Sequence, residues 1–181
     1  RREMYCRKNP CEGVKKRPSA NRKIKDVLSV EEFRTLLEHE LVARDNNLRE
    51  ACILAFYTGL GYKECKLLEW SQIRNKELRY HRGKNENETT IPLKYSVLNA
   101  IGGAGEGLVF PRLPHMTQAR HALIRWCKRA GIDKHITFYS FRHSFAVNLL
   151  MHGANIKTVA DLLGHTSLKH TIKYLNYVDS L

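Results

Sequence analysis

Hydrophobic residues recur mostly at helical spacing along this chain. The first such pattern starts where Ser29 and Glu32 can form a capping box, with Leu28 and Phe33 at the positions of a hydrophobic staple. Similar patterns follow, and several of them end at a glycine. The spacing predicts helices in residues 28–41, 47–59, 62–70, 117–130, 140–152, 155–163 and 167–178.

Strand-like composition is confined to one part of the sequence. Residues 78–82 and 89–93 have the side chains typical of strands, and the segment between them contains Gly, Asn and Glu. This arrangement predicts a β-hairpin with a polar tip, and therefore a small sheet. The expected fold class is mainly α with a small antiparallel β-sheet (α+β).

Length and composition divide the chain into two parts. With 181 residues and 43% hydrophobic content, the chain can bury the core of one domain. Residues 1–25 carry ten Lys or Arg against two Glu, and prolines and a glycine interrupt any regular pattern. We therefore expect a basic arm or interdomain linker in residues 1–26, or a solvated end without defined contacts, and a folded domain in residues 27–181.

The whole chain is strongly basic. Its 31 Lys and Arg residues outnumber 18 Asp and Glu residues, which gives a formal charge of +13. Such a charge favours a polyanionic partner through phosphate contacts and counterion release. Nucleic acid is the leading candidate, and a solvated basic surface is the alternative.

Several classes of site lack support in the sequence. Five cysteines without a CxxC pair indicate reduced thiols, and nine histidines show no pairing at structural-zinc spacing. The glycine motifs of nucleotide hydrolases and dinucleotide enzymes and the serine-hydrolase elbow do not occur. Without a span of roughly 20 apolar residues or a secretory signal, we expect no membrane partner and a cytoplasmic location, on nucleoid or host-cell DNA.

The residues left to carry chemistry lie close together in the last third of the chain. Arg142 can direct two N–H groups at phosphate oxygens, and His165 can donate to a third oxygen. Tyr174 can act as an oxygen nucleophile if nearby cations lower its pKa from about 10. Together these groups suit attack on a phosphodiester. Taken singly, they are more typical of a surface ion-pair partner, a histidine near the C-terminal dipole of a helix and a half-buried core aromatic.

The order of these residues resembles one protein family. FRHSFAVNLLMHG, LLGH and TIKY resemble the second signature block of the tyrosine recombinases, the phage integrase family. Upstream, YTGLGYKECKLLEWSQI is similar to the family's first block, and GKNENETTIPL is similar to its β-hairpin. The resemblance covers about residues 27–178 and implies the tyrosine recombinase catalytic-domain fold.

The resemblance implies a role for each matching residue. Tyr174 would be the nucleophile that forms a 3′-phosphotyrosine link with DNA, and Arg142 would hold the scissile phosphate. His165 would support the phosphate and assist proton transfer, while Lys84 on the hairpin would protonate the leaving 5′ oxygen. The implied function is site-specific DNA recombination, in integration or excision, with no metal, nucleotide or other cofactor.

The resemblance also implies partners. Family members act on double-stranded DNA as tetramers, so we expect the full-length protein to self-associate into a tetramer on DNA. The basic arm would then join the catalytic domain to an N-terminal core-binding domain. The candidate DNA-binding side chains, which alternatively face only water, are Arg82, Arg120, Arg125, Lys128 and Lys169.

One departure from the family pattern bears directly on activity. The family's first block reads TGLR with an acidic residue three positions on, whereas TGLGYKE here has Gly61 in place of the arginine and Glu64 in register. Lys63 is close in sequence, but helical geometry would turn its side chain away. Loss of an arginine aimed at transition-state charge lowers rates on the order of 10³ to 10⁵, so we expect impaired catalysis.

Three origins of Gly61 fit the sequence. It is compatible with a substitution introduced to inactivate the protein, with a naturally degenerate recombinase, or with an arginine supplied from elsewhere. We favour the first two. An ordinary turn glycine fits all three.

A second departure is Tyr139, where the family commonly has histidine. Its hydroxyl can hydrogen-bond a phosphate oxygen but carries no positive charge, and simple packing explains it equally well. Two functions therefore stay open beside recombination. One is a catalytically inactive DNA-binding protein that retains the recombinase fold, which Gly61 favours. The other is a relative that relaxes DNA supercoils through the same tyrosine chemistry.

Overall fold

The structure, a computed structural model, describes residues 26–41, 46–81 and 88–181. The predicted arm, residues 1–26, lies outside this part except for Asp26, so its role stays a prediction. The described residues form a mainly helical domain with a small sheet. Its helices are α1 (Val30–Glu38), α2 (Leu48–Thr58), α3 (Tyr62–Leu67), α4 (Tyr95–Ile101), α5 (Met116–Arg129), α6 (Phe138–Met151), α7 (Ile156–Leu162) and α8 (Lys169–Val178).

The sheet has three antiparallel strands in the order β1–β2–β3. They are β1 (Ile73–Arg74), β2 (Glu77–His81) and β3 (Glu88–Pro92). Asn75 and Lys76, both with positive φ, form the tight turn between β1 and β2. The predicted hairpin corresponds to β2 and β3, each displaced by one residue, whereas the two-residue strand β1 was too short for a sequence pattern to predict.

Local signals place the start of the domain correctly. The Ser29 hydroxyl accepts from the Glu32 N–H at 3.1 Å, and the Glu32 carboxylate accepts from the Ser29 N–H at 2.8 Å. The capping box of α1 is thereby confirmed. Leu28 and Phe33, the predicted staple pair, are both buried in the same core cluster.

Two helix predictions need correction. The helix predicted to reach Trp70 ends at Leu67, because Leu68 turns to an extended conformation and Trp70 pairs its N–H with Gly107 O. A separate 3-10 turn, Trp70–Gln72, follows. Helix α4 was not predicted at all, although its buried residues lie at helical spacing, namely Val97, Leu98 and Ile101.

Helix α6 forms the centre of the domain. It packs against α2, α5, α7 and α8, and its residues from Phe138 to Val147 are buried with the exception of Tyr139. The predicted apolar stripe of Phe141, Phe145 and Leu149 describes only part of this surface. Polar groups on α6 are therefore enclosed by protein and must find partners there.

The turn between α2 and α3 lies directly against α6. Gly59 ends α2 with φ +67°, and a Cβ atom at this position would lie 2.5 Å from Cδ1 of Phe145. Both the conformation and the close approach require glycine. As a result, the backbone of residues 59–61 is held next to Arg142.

Two predictions about composition can be compared with the structure. The described cysteines, Cys52, Cys65 and Cys127, are buried free thiols, as predicted. Burial raises the pKa of the Cys127 thiol to about 11. No helix within the described residues is long and apolar enough to cross a membrane.

Candidate active site

Arg142 joins the two sequence blocks that resemble the family signatures. Its Nη1 donates to Gly59 O at 2.9 Å, and its Nη2 donates to Leu163 O at 2.5 Å. The first carbonyl belongs to the turn between α2 and α3, and the second precedes the Gly164–His165 turn. With a side chain only 8% exposed, Arg142 acts as a structural bridge as well as a local positive charge.

A surface cleft opens beside Arg142. This main cleft has a volume of about 690 Å³ and is lined by Gly61, Tyr139 and Arg142, so three of the predicted site positions meet there. Lys63 also lines it. Helical geometry does not separate Lys63 from Gly61, because Gly61 precedes α3 as its N-cap residue. The positively charged or titratable basic side chains along the cleft are Lys63, Arg120, His135 and Arg142.

Glu64 takes up the space next to Gly61. A Cβ atom added to Gly61 would lie 2.5 Å from Oε2 of Glu64, whose side chain lines the main cleft. None of the ion pairs formed within the described residues involves Glu64. Beside the position where the predicted pattern has an arginine, the cleft therefore presents the Glu64 carboxylate of that pattern without the neighbouring guanidinium, and the unbalanced charge opposes binding of a phosphate.

Tyr174 is fully buried beneath this region. Its hydroxyl lies 2.7 Å from Nδ1 of His143, and the two ring centroids are 5.2 Å apart. Burial raises the pKa of the Tyr174 phenol well above its usual range, and the neighbouring Tyr139 raises it further, whereas Arg142 lowers it. The predicted nucleophile thus lies near Arg142 and Tyr139 in its protonated form.

Tyr139 connects the buried pair with the cleft. It is 46% exposed, and its ring packs edge-on against His143 with 4.4 Å between the centroids. Residues 139 and 143 are one helical turn apart on α6, which explains the contact. Tyr139 therefore lies between the cleft and the enclosed Tyr174 hydroxyl.

His165 is held by the helix that carries Tyr174. Its Nδ1 lies 2.7 Å from the hydroxyl oxygen of the buried Thr171 on α8. The backbone N–H of His165 donates to the backbone carbonyl oxygen of Ala160, which fixes the turn that follows α7. Because Leu163 accepts from Arg142 in the same turn, His165 and Arg142 are both connected to this part of the chain.

Lys173 adds a positive charge that was not among the predicted site residues. Its Nζ lies 4.8 Å from the centre of the Tyr174 ring. Burial lowers the pKa of Lys173, and the charge of Arg142 lowers it further, so the two cations are close enough to interact. A bound phosphate would reduce this repulsion.

Most of the chain matches a known protein family. The sequence model of the Phage integrase family matches residues 26–180. This chain belongs to the phage integrase family. Among its relatives, a tyrosine recombinase from Thermosipho africanus is 32% identical over 184 residues, which cover 94% of this chain and 64% of that protein. The integrase-family chain thus spans less than two thirds of the length of this relative.

Solved structures share the same fold. The catalytic domain of bacteriophage HP1 integrase has a TM-score of 0.67 and 21% identity, covering 86% of this chain and 90% of that domain. XerH recombinase, in a post-cleavage complex with a palindromic difH substrate, has a TM-score of 0.71 and 20% identity, covering 91% of this chain and 53% of XerH. The family resemblance and the predicted fold class are therefore confirmed.

The remaining site predictions lie on the surface or outside the described residues. Lys84 and Arg82 fall in residues 82–87, which the structure does not describe. Arg125 and Lys169 are exposed on α5 and α8 and do not line the main cleft. Arg120 and Lys128 are exposed and line a second groove of about 590 Å³ along α5.

Sequence reasoning missed two residues of this integrase-family site. His143 immediately follows Arg142, and Lys173 immediately precedes Tyr174, so both were visible as chain neighbours of predicted residues. Their contacts depend on how α6 packs against α8, which no local pattern reports. Across the described residues, no group of three or more His, Cys, Asp or Glu side chains could hold a metal ion.

Replacing Arg142 by Met is expected to destabilise the domain. The carbonyls of Gly59 and Leu163 would each lose a buried donor, so the free energy of unfolding should fall by about 2 to 4 kcal/mol. Urea unfolding followed by circular dichroism measures this change. Lys128→Met, at an exposed position on α5, is the matched control and should change it by less than about 0.5 kcal/mol. An equal effect of both substitutions would contradict the bridging role.

Proposed function

We propose that this chain is the catalytic part of a site-specific recombinase that cuts and rejoins DNA through a 3′-phosphotyrosine intermediate. The observation that carries the proposal is the junction at Arg142. Through it, the turn of Gly59 and the turn of His165 meet next to Tyr174 and the main cleft. Family membership supports the same reaction.

In the proposed reaction, the scissile phosphate enters from the main cleft and meets the cations around Arg142. Arg142 neutralises phosphate oxygens with N–H groups beyond the two that bind backbone carbonyls. Phosphoryl transfer depends largely on such positioning and charge neutralisation. Because Tyr174 is fully buried, its hydroxyl must first be exposed to the cleft. It then attacks phosphorus, and the energy of the broken phosphodiester is retained in the protein–DNA bond for later rejoining.

The other predicted residues support this attack. His165 donates to a phosphate oxygen from the turn that Thr171 holds in place. Tyr139, half-exposed in the cleft, donates a hydrogen bond to the phosphate, and Lys84 protonates the leaving 5′ oxygen. In the full-length protein we expect a tetramer on double-stranded DNA, acting on nucleoid or host-cell DNA in the cytoplasm.

Catalysis by this chain is expected to be slow. Gly61 provides no guanidinium to the cleft, and the nearby Glu64 carboxylate repels the phosphate. Lys63 and Arg120 line the same cleft and contribute positive charge. A flexible ammonium lacks the planar fork that an arginine at position 61 would direct at two phosphate oxygens.

DNA backbone contacts are assigned to the exposed basic face of α5. We expect Arg120→Ala to weaken binding of a mixed-sequence duplex and to reduce the slope of log affinity against log salt by about one. Fluorescence anisotropy at several salt concentrations measures both quantities. The matched control on the same helix is Arg129→Ala. Arg129 donates to the backbone carbonyl oxygen of Glu40 and lines neither the main cleft nor the second groove. Equal slopes for Arg120→Ala and the unsubstituted chain would remove Arg120 from the interface.

The reaction is tested by covalent adduct formation. The chain is incubated with a pool of duplexes that contain a random central segment and a nick in one strand, so that the short cleaved piece diffuses away. A protein–DNA species that survives denaturing electrophoresis supports the proposal. Strand exchange between two labelled duplexes then distinguishes recombination from relaxation of supercoils.

A second function is favoured by the chemistry at Gly61. A DNA-binding protein that keeps the recombinase fold without cutting DNA would not need an arginine at this position. The absence of a side chain at Gly61 fits such a protein, whereas Glu64 is expected in either case. Duplex binding without any adduct, both in this chain and after Gly61→Arg, would support this function over recombination.

A further inference from the structure

The buried contact between His143 and Tyr174 suggests a catalytic group that the predicted site lacks. Nδ1 of His143 lies 2.7 Å from the Tyr174 hydroxyl, within the range of a strong hydrogen bond. His143 is 4% exposed and Tyr174 is fully buried, so surrounding side chains restrict both rings. The contact joins the central helix α6 to α8 across 31 residues of sequence.

The chemistry of the phenol requires such a neighbour. A tyrosine hydroxyl becomes an effective nucleophile as it loses its proton, and burial makes this loss harder for Tyr174. A proton acceptor must therefore lie within hydrogen-bonding distance of the oxygen. Tyr139 offers a hydroxyl that accepts hydrogen bonds, whereas a neutral imidazole nitrogen also accepts the proton itself.

We propose that His143 is the general base that accepts the Tyr174 proton during DNA cleavage. This role rests on the proposed recombinase function. As the Tyr174 oxygen forms its bond to phosphorus, its proton moves to Nδ1 of His143. The bond from phosphorus to the 5′ oxygen breaks, and that oxygen takes a proton from Lys84. In rejoining, the 5′ hydroxyl attacks phosphorus and gives its proton to the neutral Lys84 amine, while the His143 imidazolium returns its proton to the departing Tyr174 oxygen.

The surrounding charges connect this proton transfer to DNA binding. Tyr139 and Arg142 lie near His143 on α6, and Tyr174 and Lys173 face this region from α8. A second cation on His143 would add to the repulsion between Arg142 and Lys173. A phosphate that gains negative charge in the transition state offsets this repulsion. Proton transfer is therefore favoured when DNA occupies the site.

Asparagine distinguishes proton transfer from simple positioning. His143→Asn can place an amide group near the Nδ1 position, which preserves a hydrogen bond to Tyr174 but accepts no proton. His143→Phe removes both properties. Each substitution is made in this chain and together with Gly61→Arg, and single-turnover adduct formation is measured on the nicked duplex pool. Circular dichroism and duplex affinity verify folding and binding, and the Asn variant alone carries the test if the Phe variant fails to fold.

We expect both His143 variants to form adduct at least about 100-fold more slowly than their parents, with unchanged duplex affinity. A rate for His143→Asn close to that of its parent would overturn the proposal, because a hydrogen bond alone would then suffice. The proposal would also fail if the two variants lost duplex binding in proportion to rate.

A second substrate separates the two proton transfers. In a 5′-bridging phosphorothiolate, sulfur replaces the leaving oxygen and departs without a proton. This substrate should restore adduct formation by Lys84→Ala but leave His143→Asn slow. If this substrate restored His143→Asn to the parent rate, His143 would be the group that protonates the leaving 5′ oxygen. That result would overturn its proposed role as the base for Tyr174.

Mixing experiments test whether His143 serves the tyrosine of its own chain. Mixtures of Tyr174→Phe and His143→Asn proteins should form no more adduct than the two proteins separately. Restored activity would show that Tyr174 works with His143 of another chain, which contradicts a role for the observed contact. The two parent proteins with His143 intact are the unsubstituted chain and its Gly61→Arg variant. If neither parent forms adduct, the recombinase function itself is overturned, together with the role of His143. The two failures are therefore distinguishable.

Discussion

Replacing Tyr174 by Phe is expected to abolish the covalent protein–DNA adduct. The substitution removes the oxygen that would bond to phosphorus. His143, Arg142 and Lys173 carry no hydroxyl, and the hydroxyl of the neighbouring Tyr139 has the proposed role of donating to the phosphate. Denaturing electrophoresis with the nicked duplex pool measures the loss. Duplex affinity should stay unchanged, since phosphate contacts and not the nucleophile dominate binding.

Tyr177→Phe is the matched control for this experiment. Tyr177 lies on the same helix, less than one turn further, and is partly buried. Its replacement should leave adduct formation intact. Adduct that persists in Tyr174→Phe but disappears in Tyr177→Phe would move the nucleophile to the second tyrosine. Since Tyr174→Phe also removes a buried hydrogen bond to His143, its free energy of unfolding should fall by roughly 1 to 3 kcal/mol, which urea unfolding will measure.

Gly61→Arg is expected to accelerate adduct formation by about 10³- to 10⁵-fold. The new guanidinium would enter the main cleft beside Arg142 and could fork onto the phosphate oxygens. The backbone permits the change, because Gly61 has φ −85° and ψ 173°, a conformation open to any residue. Single-turnover rates on one nicked duplex selected from the pool measure the gain.

The carboxylate of Glu64 affects both the space available to the new Arg side chain and its orientation. It must move aside for a Cβ atom at position 61, and it can then pair with the arginine and orient it. Gly61→Ala is the matched control, since it adds the Cβ atom without charge and should give no acceleration. Glu64→Gln in the unsubstituted chain should raise the rate by several-fold, because it removes a negative charge from the cleft.

Equal rates for Gly61→Ala and Gly61→Arg would contradict the assignment of position 61. So would a large gain from Gly61→Ala alone, since the effect would then come from backbone rigidity. An intermediate gain from Gly61→Lys would fit a charge that lacks the planar fork of arginine.

Much of the fold could be predicted because its signals are local. The capping box at Ser29 and Glu32, the glycine at the end of α2 and the β-hairpin each depend on a few neighbouring residues. Two short elements were not predicted. Strand β1, with two residues, is too brief to repeat a pattern, and contacts with the rest of the domain stabilise it. Helix α4 does repeat a short apolar pattern at Val97, Leu98 and Ile101, which the prediction did not use.

The site was only partly predictable. The order of Arg142, His165 and Tyr174 indicated phosphoryl chemistry, but the sequence could not indicate that Tyr174 is fully enclosed or that His143 contacts its hydroxyl. Both facts follow from the packing of α6 against α8. Position 61 was recognised from a pattern, whereas the carboxylate that takes up the space beside it required three-dimensional geometry.

The bridge made by Arg142 has a consequence during protein synthesis. One carbonyl that it binds lies 83 residues earlier in the sequence, and the other lies 21 residues later. A nascent chain still attached to the ribosome cannot complete this bridge until the segment around Leu163 has emerged. Chains that stop before this segment therefore lack the bridge that joins the turn of Gly59 to the turn of His165.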